Sequence, residues 1–383
     1  MTGAPATMRR IVVISDFCTQ VPPLAPKLRF FDTVPPTPID KNIAVTGGYL
    51  ERLPLAVVKS GLVDAAEIWS FNGTDVDPVG LTLSPHGPGL RRFRADGHIA
   101  PYGSADMLVH IATVGQPDIL CIWGLGVTEA VLAACPDSFI VYNSLDVEAL
   151  RIPPDISRHI DIFLTGSDHQ TASVLARHPN AIIGKLPVGP DFASAETFYP
   201  TDTQKDFDLI YVAAAQPYKR HDILFDALGD LPRTIRALCV FGYGENGDHL
   251  RAQAVKMGLN ITFVGPPGVP YSDVNKLMNR ARIGLVCGAN DGAPAILTEY
   301  MLAGLPVLAN ADLACGLQYI RPDTGRIANA AEFATVITEM LRDTSVFAPR
   351  EAVLQNWVWQ RSIQHFLPLL EAAKIRHRQR CSA

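Results

Sequence analysis

Residues 290–307 read NDGAPAILTEYMLAGLPV. An apolar run at 283–287 precedes them, and an acidic Gly turn follows at Asn290, Asp291 and Gly292. Pro294 stands where the first turn of a helix tolerates proline, and Gly304 closes the helix before a new strand opens at Pro306. Strand, turn, helix, glycine and strand in that order describe a βα unit of a parallel sheet. A helix opening at Pro294 presents free backbone N–H groups and the positive end of its dipole, a setting suited to phosphate. Asp291 then lies in the turn and Glu299 farther along the helix. Both carboxylates could accept from sugar hydroxyls, or both could merely favour the helix N-terminus.

The same rhythm runs outward in both directions. Strands are predicted at 208–212, 236–241, 261–264, 283–287 and 306–309, with helices near 221–228, 249–257, 272–281, 295–303 and 331–342. Upstream, strands fall at 11–15, 67–71, 119–123, 139–142 and 160–164, with helices at 49–60, 105–113, 128–134 and 169–177. Residues 16–46 are Pro-rich and too long for an ordinary connection, which makes them a candidate functional loop. Between 191 and 206 the apolar rhythm lapses into Ser, Thr, Glu, Pro and Asp. The expected organisation is a first domain over 1–195 and a second over 196–350. A last amphipathic helix covers 356–376, with Trp357, Ile363, Phe366, Leu367 and Leu370 at helical spacing. Two parallel-sheet α/β domains facing each other leave a cleft at the carboxyl ends of their strands, where such folds bind ligands.

Composition narrows the function classes. Of 383 residues, 48% are apolar and 19% charged, which suits packed cores and excludes overall disorder. Net charge is −5 and no long basic block occurs, so a nucleic-acid partner is not expected. No uncharged apolar stretch approaches the ~20 residues of a membrane span, and the N-terminus lacks the layout of a signal peptide. A soluble, cytoplasmic protein is expected. The basic cluster Lys374, Arg376, Arg378 and Arg380 leaves peripheral contact at the inner membrane surface open. Seven cysteines, odd in number and without C-x-x-C spacing, read as reduced thiols. The ten histidines show no H-x-x-x-H or H-x-H pair, so no metal is expected. Gly242 to Gly247 form a literal G-x-G-x-x-G after a strand, but the next strand ends without the acid that would hold a dinucleotide ribose. A tight βα turn is the simpler reading, and no nicotinamide or flavin cofactor is expected.

The run 290–307 resembles the donor-site motif of the retaining GT-B glycosyltransferases of family 4, in which two acids separated by seven residues precede an Ala-x-Gly-x-Pro-Val sequence. Further elements fall in the family's order: Lys219 within Pro217-Tyr218-Lys219-Arg220, the segment 240–244, the segment 263–265, Gly47-Gly48 opening a helix, Pro117-Asp118-Ile119, and Val188-Gly189-Pro190-Asp191. The resemblance is strong over 206–330 and weak before 117. It implies a GT-B fold of two Rossmann-like domains, with helix 356–376 packing back on the first. It also implies transfer of a hexosyl group from a nucleotide diphosphate sugar, UDP- or GDP-linked, to an acceptor hydroxyl with retention of configuration, without metal or cofactor.

By the same resemblance Glu299 takes the ribose hydroxyls, Asp291 the donor sugar and Lys219 the leaving diphosphate, with Arg220 as helper. Backbone amides of Gly47, Gly48, Ala295 and Ile296 cradle phosphate oxygens, and Gly242 and Gly265 complete the donor-binding set. Two departures stand out. Ala213 and Ala214 occupy the place of the family's usual arginine, and its histidine is replaced within 142–146, where Asn143 or Asp146 could substitute. Another GT-B reaction, epimerase or phosphorylase, and a non-catalytic nucleotide-sugar binder are the alternative readings.

Overall fold

Strands covered on both faces must be apolar at nearly every position. Ile119–Trp123 is buried at all five positions and Ala65–Asn72 at all eight. The computed structural model describes residues 9–19, 33–74 and 79–382. Two compact units emerge, one reaching to Val188 and resuming at Ser362, the other Gly189–Arg361.

The first unit contains, in order, β1 (Arg10–Thr19), α1 (Arg52–Lys59), β2 (Ala65–Asn72), β3 (Val79–Leu83), β4 (Gly89–Arg94), α2 (Ala105–Val114), β5 (Ile119–Trp123), α3 (Glu129–Ala133), β6 (Phe139–Asn143), α4 (Pro154–Ser157), β7 (Ile162–Thr165), α5 (Asp168–Arg177) and β8 (Ile182–Lys185). The sheet order is β3-β4-β2-β1-β5-β6-β7-β8. All neighbours are parallel except the β3–β4 hairpin. The chain steps from β1 to β2 on one side and later resumes at β5 on the other. That reversal marks the crevice position of an open α/β sheet.

Sequence patterning does not predict β3, β4 or β8. In β4 the obstacle is Arg91, which is fully buried yet charged. Its guanidinium forks onto Glu67, with Nε at 3.0 Å and Nη2 at 2.8 Å, and Nη2 also donates to the Val34 carbonyl at 2.8 Å. Trp69 Nε1 donates to the same carboxylate at 2.8 Å. A buried ion pair therefore occupies the place where alternation calls for an apolar residue. Of the Pro-rich stretch 16–46, residues 20–32 lie outside the described residues.

The second unit contains β9 (Phe207–Val212), α6 (His221–Asp230), β10 (Ala237–Val240), α7 (Gly247–Lys256), β11 (Ile261–Val264), α8 (Tyr271–Asn279), β12 (Ala281–Val286), α9 (Ile296–Leu302), β13 (Val307–Asn310), β14 (Gly325–Ala328), α10 (Phe333–Arg342) and α11 (Pro349–Asn356). Its sheet is parallel throughout, in the order β11-β10-β9-β12-β13-β14. The strand order reverses between β9 and β12. β14 and α11 are further elements that periodicity does not predict; in β14 only the two end residues are buried.

Two expectations are corrected. The division falls at Val188/Gly189 instead of 195/196, because residues just after it pack within the second unit. Thr298 Oγ1 donates to the Pro190 carbonyl at 2.8 Å, Tyr319 hydroxyl reaches Asp191 at 2.5 Å, and Phe198 is fully buried. The helix expected over 356–376 starts later, at Trp359, and runs on to Ser382. α11 ends at Asn356 and α12 (Trp359–Ser382) begins after a break in which Val358 bridges to Ala193 and the Trp359 N–H donates to the Ala193 carbonyl at 2.9 Å. Trp357 is held edge-on to Tyr319 at 5.0 Å. Helical spacing continues across the break, but these contacts override it. From Ser362 onward α12 belongs to the first unit, burying Ile363, Phe366, Leu370 and Ala373 along one stripe.

Candidate active site

β9 and β12 are neighbours at the reversal of the second sheet, and the segments leaving their carboxyl ends carry the two groups brought closest together. After β9 the chain makes a 3-10 turn over Pro217–Lys219, and Arg220 adopts a left-handed backbone with φ of 52° before α6 begins. Tyr211, buried on β9, donates its hydroxyl to the Lys219 carbonyl and pins that turn. After β12 the turn reaches Asp291. Lys219 Nζ and Asp291 Oδ2 form a close ion pair with less than a fifth of either side chain exposed, and the ammonium sits 4.8 Å from the centre of the Tyr218 ring. The two turns are laced by the Ala289 N–H donating to the Tyr218 carbonyl at 3.3 Å.

α9 is set down by Tyr300. Its ring lies on Gly284 of β12, where an added Cβ would come within 2.5 Å of it. Its hydroxyl accepts from the N–H of Val212, the last residue of β9, at 2.7 Å and donates to the carbonyl of Ile210, two residues earlier, at 3.3 Å. The acidic turn and its helix are thereby fixed to the same strand ends as Lys219. The helix begins at Ile296 with Ala295 as its cap, slightly later than Pro294 suggests. Of its first-turn amides, Leu297 donates to the Pro294 carbonyl at 3.2 Å and Glu299 to the Ala295 carbonyl at 3.3 Å. Glu299 lies in this first turn and is buried, with 7% exposure.

Other expected residues are placed as follows. Arg220 is forked onto Asp222, with contacts of 3.0, 3.0 and 2.8 Å, and its left-handed backbone leaves the two side chains together at the start of α6. The Arg220 hydrogen bond holds the Asp222 carboxyl below its usual range. A helper role toward phosphate requires release of that pair. Gly242 has open space where a Cβ would stand. Gly265 has a packing reason of its own: φ is +83° and a Cβ would strike the Phe241 carbonyl. Beside them Gly244, with φ of +117°, leaves no room for a Cβ against the Ala215 backbone, at 2.5 Å from its carbonyl oxygen.

In the first unit Gly47 has φ of +82°, and the Gly48 N–H donates to Glu51 Oε2 at 2.8 Å. A carboxylate of the chain itself thus occupies the amide that was expected to meet phosphate. Asn143, ending β6, gives its Nδ2 to the Leu164 carbonyl at 2.8 Å, while its buried Oδ1 has no partner among the described residues. Asp146 is taken up by Arg151 at 2.9 Å and by the Val147 N–H at 2.7 Å.

Sequence reasoning missed Tyr211, Tyr300 and His221. The tyrosines read as core residues because their hydroxyl partners are distant main-chain groups. His221 is packed between Tyr211 and Phe241 at 4.9 and 5.3 Å, its Nε2 is unpartnered among the described residues, and burial lowers its pKa to about 4. Among the described residues no cluster of three His, Cys, Asp or Glu could hold a metal ion, and no helix is long and apolar enough to cross a membrane.

Residues 197–352 match the family model described as glycosyl transferases group 1. Similar solved structures include sucrose-phosphate synthase from Thermosynechococcus elongatus, 15% identical over 98% of this chain and 100% of that one with a TM-score of 0.63. HepE of Anabaena in complex with UDP and glucose is 14% identical over 95% and 100%, with a TM-score of 0.64. The apo lipopolysaccharide outer core galactosyltransferase WaaB is 14% identical over 95% and 99%, with a TM-score of 0.59. The fold is GT-B. No curated protein matches the sequence significantly. The family match spans Lys219, Asp291 and Glu299, and the strand order of each sheet reverses once, between β1 and β5 in the first unit and between β9 and β12 in the second.

Proposed function

We propose that the protein transfers a hexosyl group from a nucleotide diphosphate sugar, UDP- or GDP-linked, to an acceptor hydroxyl with retention of configuration, in glycan or glycoconjugate biosynthesis. The observation that carries this reading is the Lys219–Asp291 pair at the β9/β12 switch point, with Glu299 in the first turn of the adjoining helix. The family match over 197–352 supports it, as do similar folds crystallised with UDP and glucose or UDP-glucose.

In this reading Glu299 accepts from the ribose hydroxyls, Asp291 orients the donor sugar, and first-turn amides at Ala295 and Ile296 meet phosphate oxygens. Lys219 exchanges Asp291 for the β-phosphate, whose negative charge grows as the glycosidic bond breaks. The departing phosphate oxygen takes the proton of the incoming hydroxyl on the same face. The bond to the acceptor oxygen therefore forms where the old one breaks, and no protein nucleophile is needed. Catalysis is then positioning and charge stabilisation.

The test is nucleotide release from UDP- and GDP-linked hexoses with and without a panel of hydroxyl acceptors, with product anomers assigned by NMR. Acceptor-dependent release with a retained anomer is expected. Release by phosphate alone would point to a phosphorylase, and an inverted anomer would remove the same-face mechanism.

A further inference from the structure

A concave site lies in the first unit, away from the carboxyl ends of β1 and β5. It is a cavity of about 260 Å³ bounded by Ile160 and Ala181, the residues leading into β7 and β8, and so opens at the amino ends of those strands. Ligand crevices of this architecture lie at the carboxyl ends. Arg158, Arg177 and Arg376 line it together with His178, and no Asp or Glu does. Arg158 is paired with Glu129. The other two guanidiniums have no ion pair among the described residues: Arg177 donates from Nη1 to the Ile152 carbonyl at 2.7 Å, and Arg376 from Nη2 to the Asn180 carbonyl at 2.5 Å. Each main-chain contact orients a planar fork and leaves further N–H groups of it uncommitted.

We propose that this cavity binds a phosphomonoester, gripped between Arg177 and Arg376. Planar guanidinium forks suit phosphate oxygens, and two like charges lining one concave site concentrate anions there. The volume sits just below the ~300–1,000 Å³ of ordinary small-molecule clefts, so the occupant is a small anion or a headgroup whose remainder stays outside. Leu175 and Ile375, near the two arginines in sequence, are exposed apolar side chains, which makes a lipid one source of the phosphate and a free metabolite the other.

Calorimetry of the full chain with inorganic phosphate and glycerol phosphate, against chloride at equal ionic strength, tests the site. Co-sedimentation with phosphatidylcholine vesicles, with and without phosphatidic acid, runs in parallel. Saturable binding is expected in at least one arm, weakened roughly tenfold or more in R177Q/R376Q and retained in K256Q/K276Q and in Lys219→Ala. Should the glutamine pair not fold, Ala181→Glu places a carboxylate at the cavity wall and must abolish binding. Phosphate without vesicle binding assigns a soluble ligand, and variant-sensitive binding only to phosphatidic acid assigns a lipid headgroup. No saturable binding in either arm, or binding indifferent to these cavity variants, overturns the proposal.

Discussion

Lys219 and Asp291 neutralise each other in a setting where most of each side chain is shielded from water. Removing one leaves the other charge uncompensated, so substitutions here act on the partner as well as on any ligand. If Lys219 meets the leaving phosphate, Lys219→Ala lowers kcat and kcat/KM together, by about 10²-fold, because the contact strengthens in the transition state. Glu299→Ala, by contrast, weakens nucleotide binding, with the loss of charged hydrogen bonds worth roughly 1.5–3 kcal/mol each. Steady-state kinetics beside calorimetry with UDP and GDP separates the two roles; a Lys219 variant altered only in KM would detach that side chain from the departing charge. His221 yields a different kind of prediction. Burial depresses its pKa to about 4 against an ordinary 6.5, so the folded protein favours the neutral ring. The unfolded chain binds the extra proton between those values, hence the stability contributed is complete above pH 6.5 and is lost as pH falls toward 4, by up to about 3 kcal/mol. His221→Phe should flatten that part of the denaturation-versus-pH curve.

At the scale of elements, α9 owes its place to one side chain reaching two strands. Tyr300 lies on the bare backbone of Gly284 and ties its hydroxyl to Val212 and Ile210. Tyr300→Phe keeps the ring and leaves the Val212 N–H without its acceptor, which should cost about 1–3 kcal/mol in chemical denaturation. Because the same bonds seat the helix that carries Glu299, nucleotide affinity should fall with it, while an unshifted affinity would mean that the ring alone holds the helix. Legibility differs from element to element for physical reasons. The βα rhythm of the second unit could be read from β9 to β13 because those strands are built mainly of apolar residues and are separated by glycine- and proline-marked turns and amphipathic helices, whereas β14 buries only its two end residues. β4 could not, because Arg91 is buried by an ion pair to Glu67, a residue of another strand.

At the scale of the whole molecule, the chain leaves its first unit at Val188 and returns to it at Ser362, so the last helix closes a domain begun at the other terminus. Phe366 is fully buried on that helix, and Leu369 abuts Gly184 of β8. Phe366→Ala should therefore destabilise the first unit by about 3–5 kcal/mol, a transfer loss plus a cavity. Thermal melting with limited proteolysis of residues 162–185 would register it. An unchanged melting curve would mean that the helix contributes little to the core it covers.

The alternation of strands and helices, the acid-Gly turn at Asp291, the helix stop at Gly304 and the seven-residue spacing to Glu299 are legible in the linear chain, because these depend on periodicity and turn chemistry within a few residues. The resemblance they support led to the two-domain fold and to Lys219. Which strand ends lie side by side, and so the meeting of Lys219 with Asp291, came from the packing of β9 beside β12, whereas Arg220–Asp222 and Gly48–Glu51 are contacts made within three residues of chain. Tertiary packing likewise decided that Arg177 and Arg376 share one cavity, and that helical spacing would break at Val358. Such outcomes turn on pairing between residues far apart in the chain, which a linear pattern does not carry.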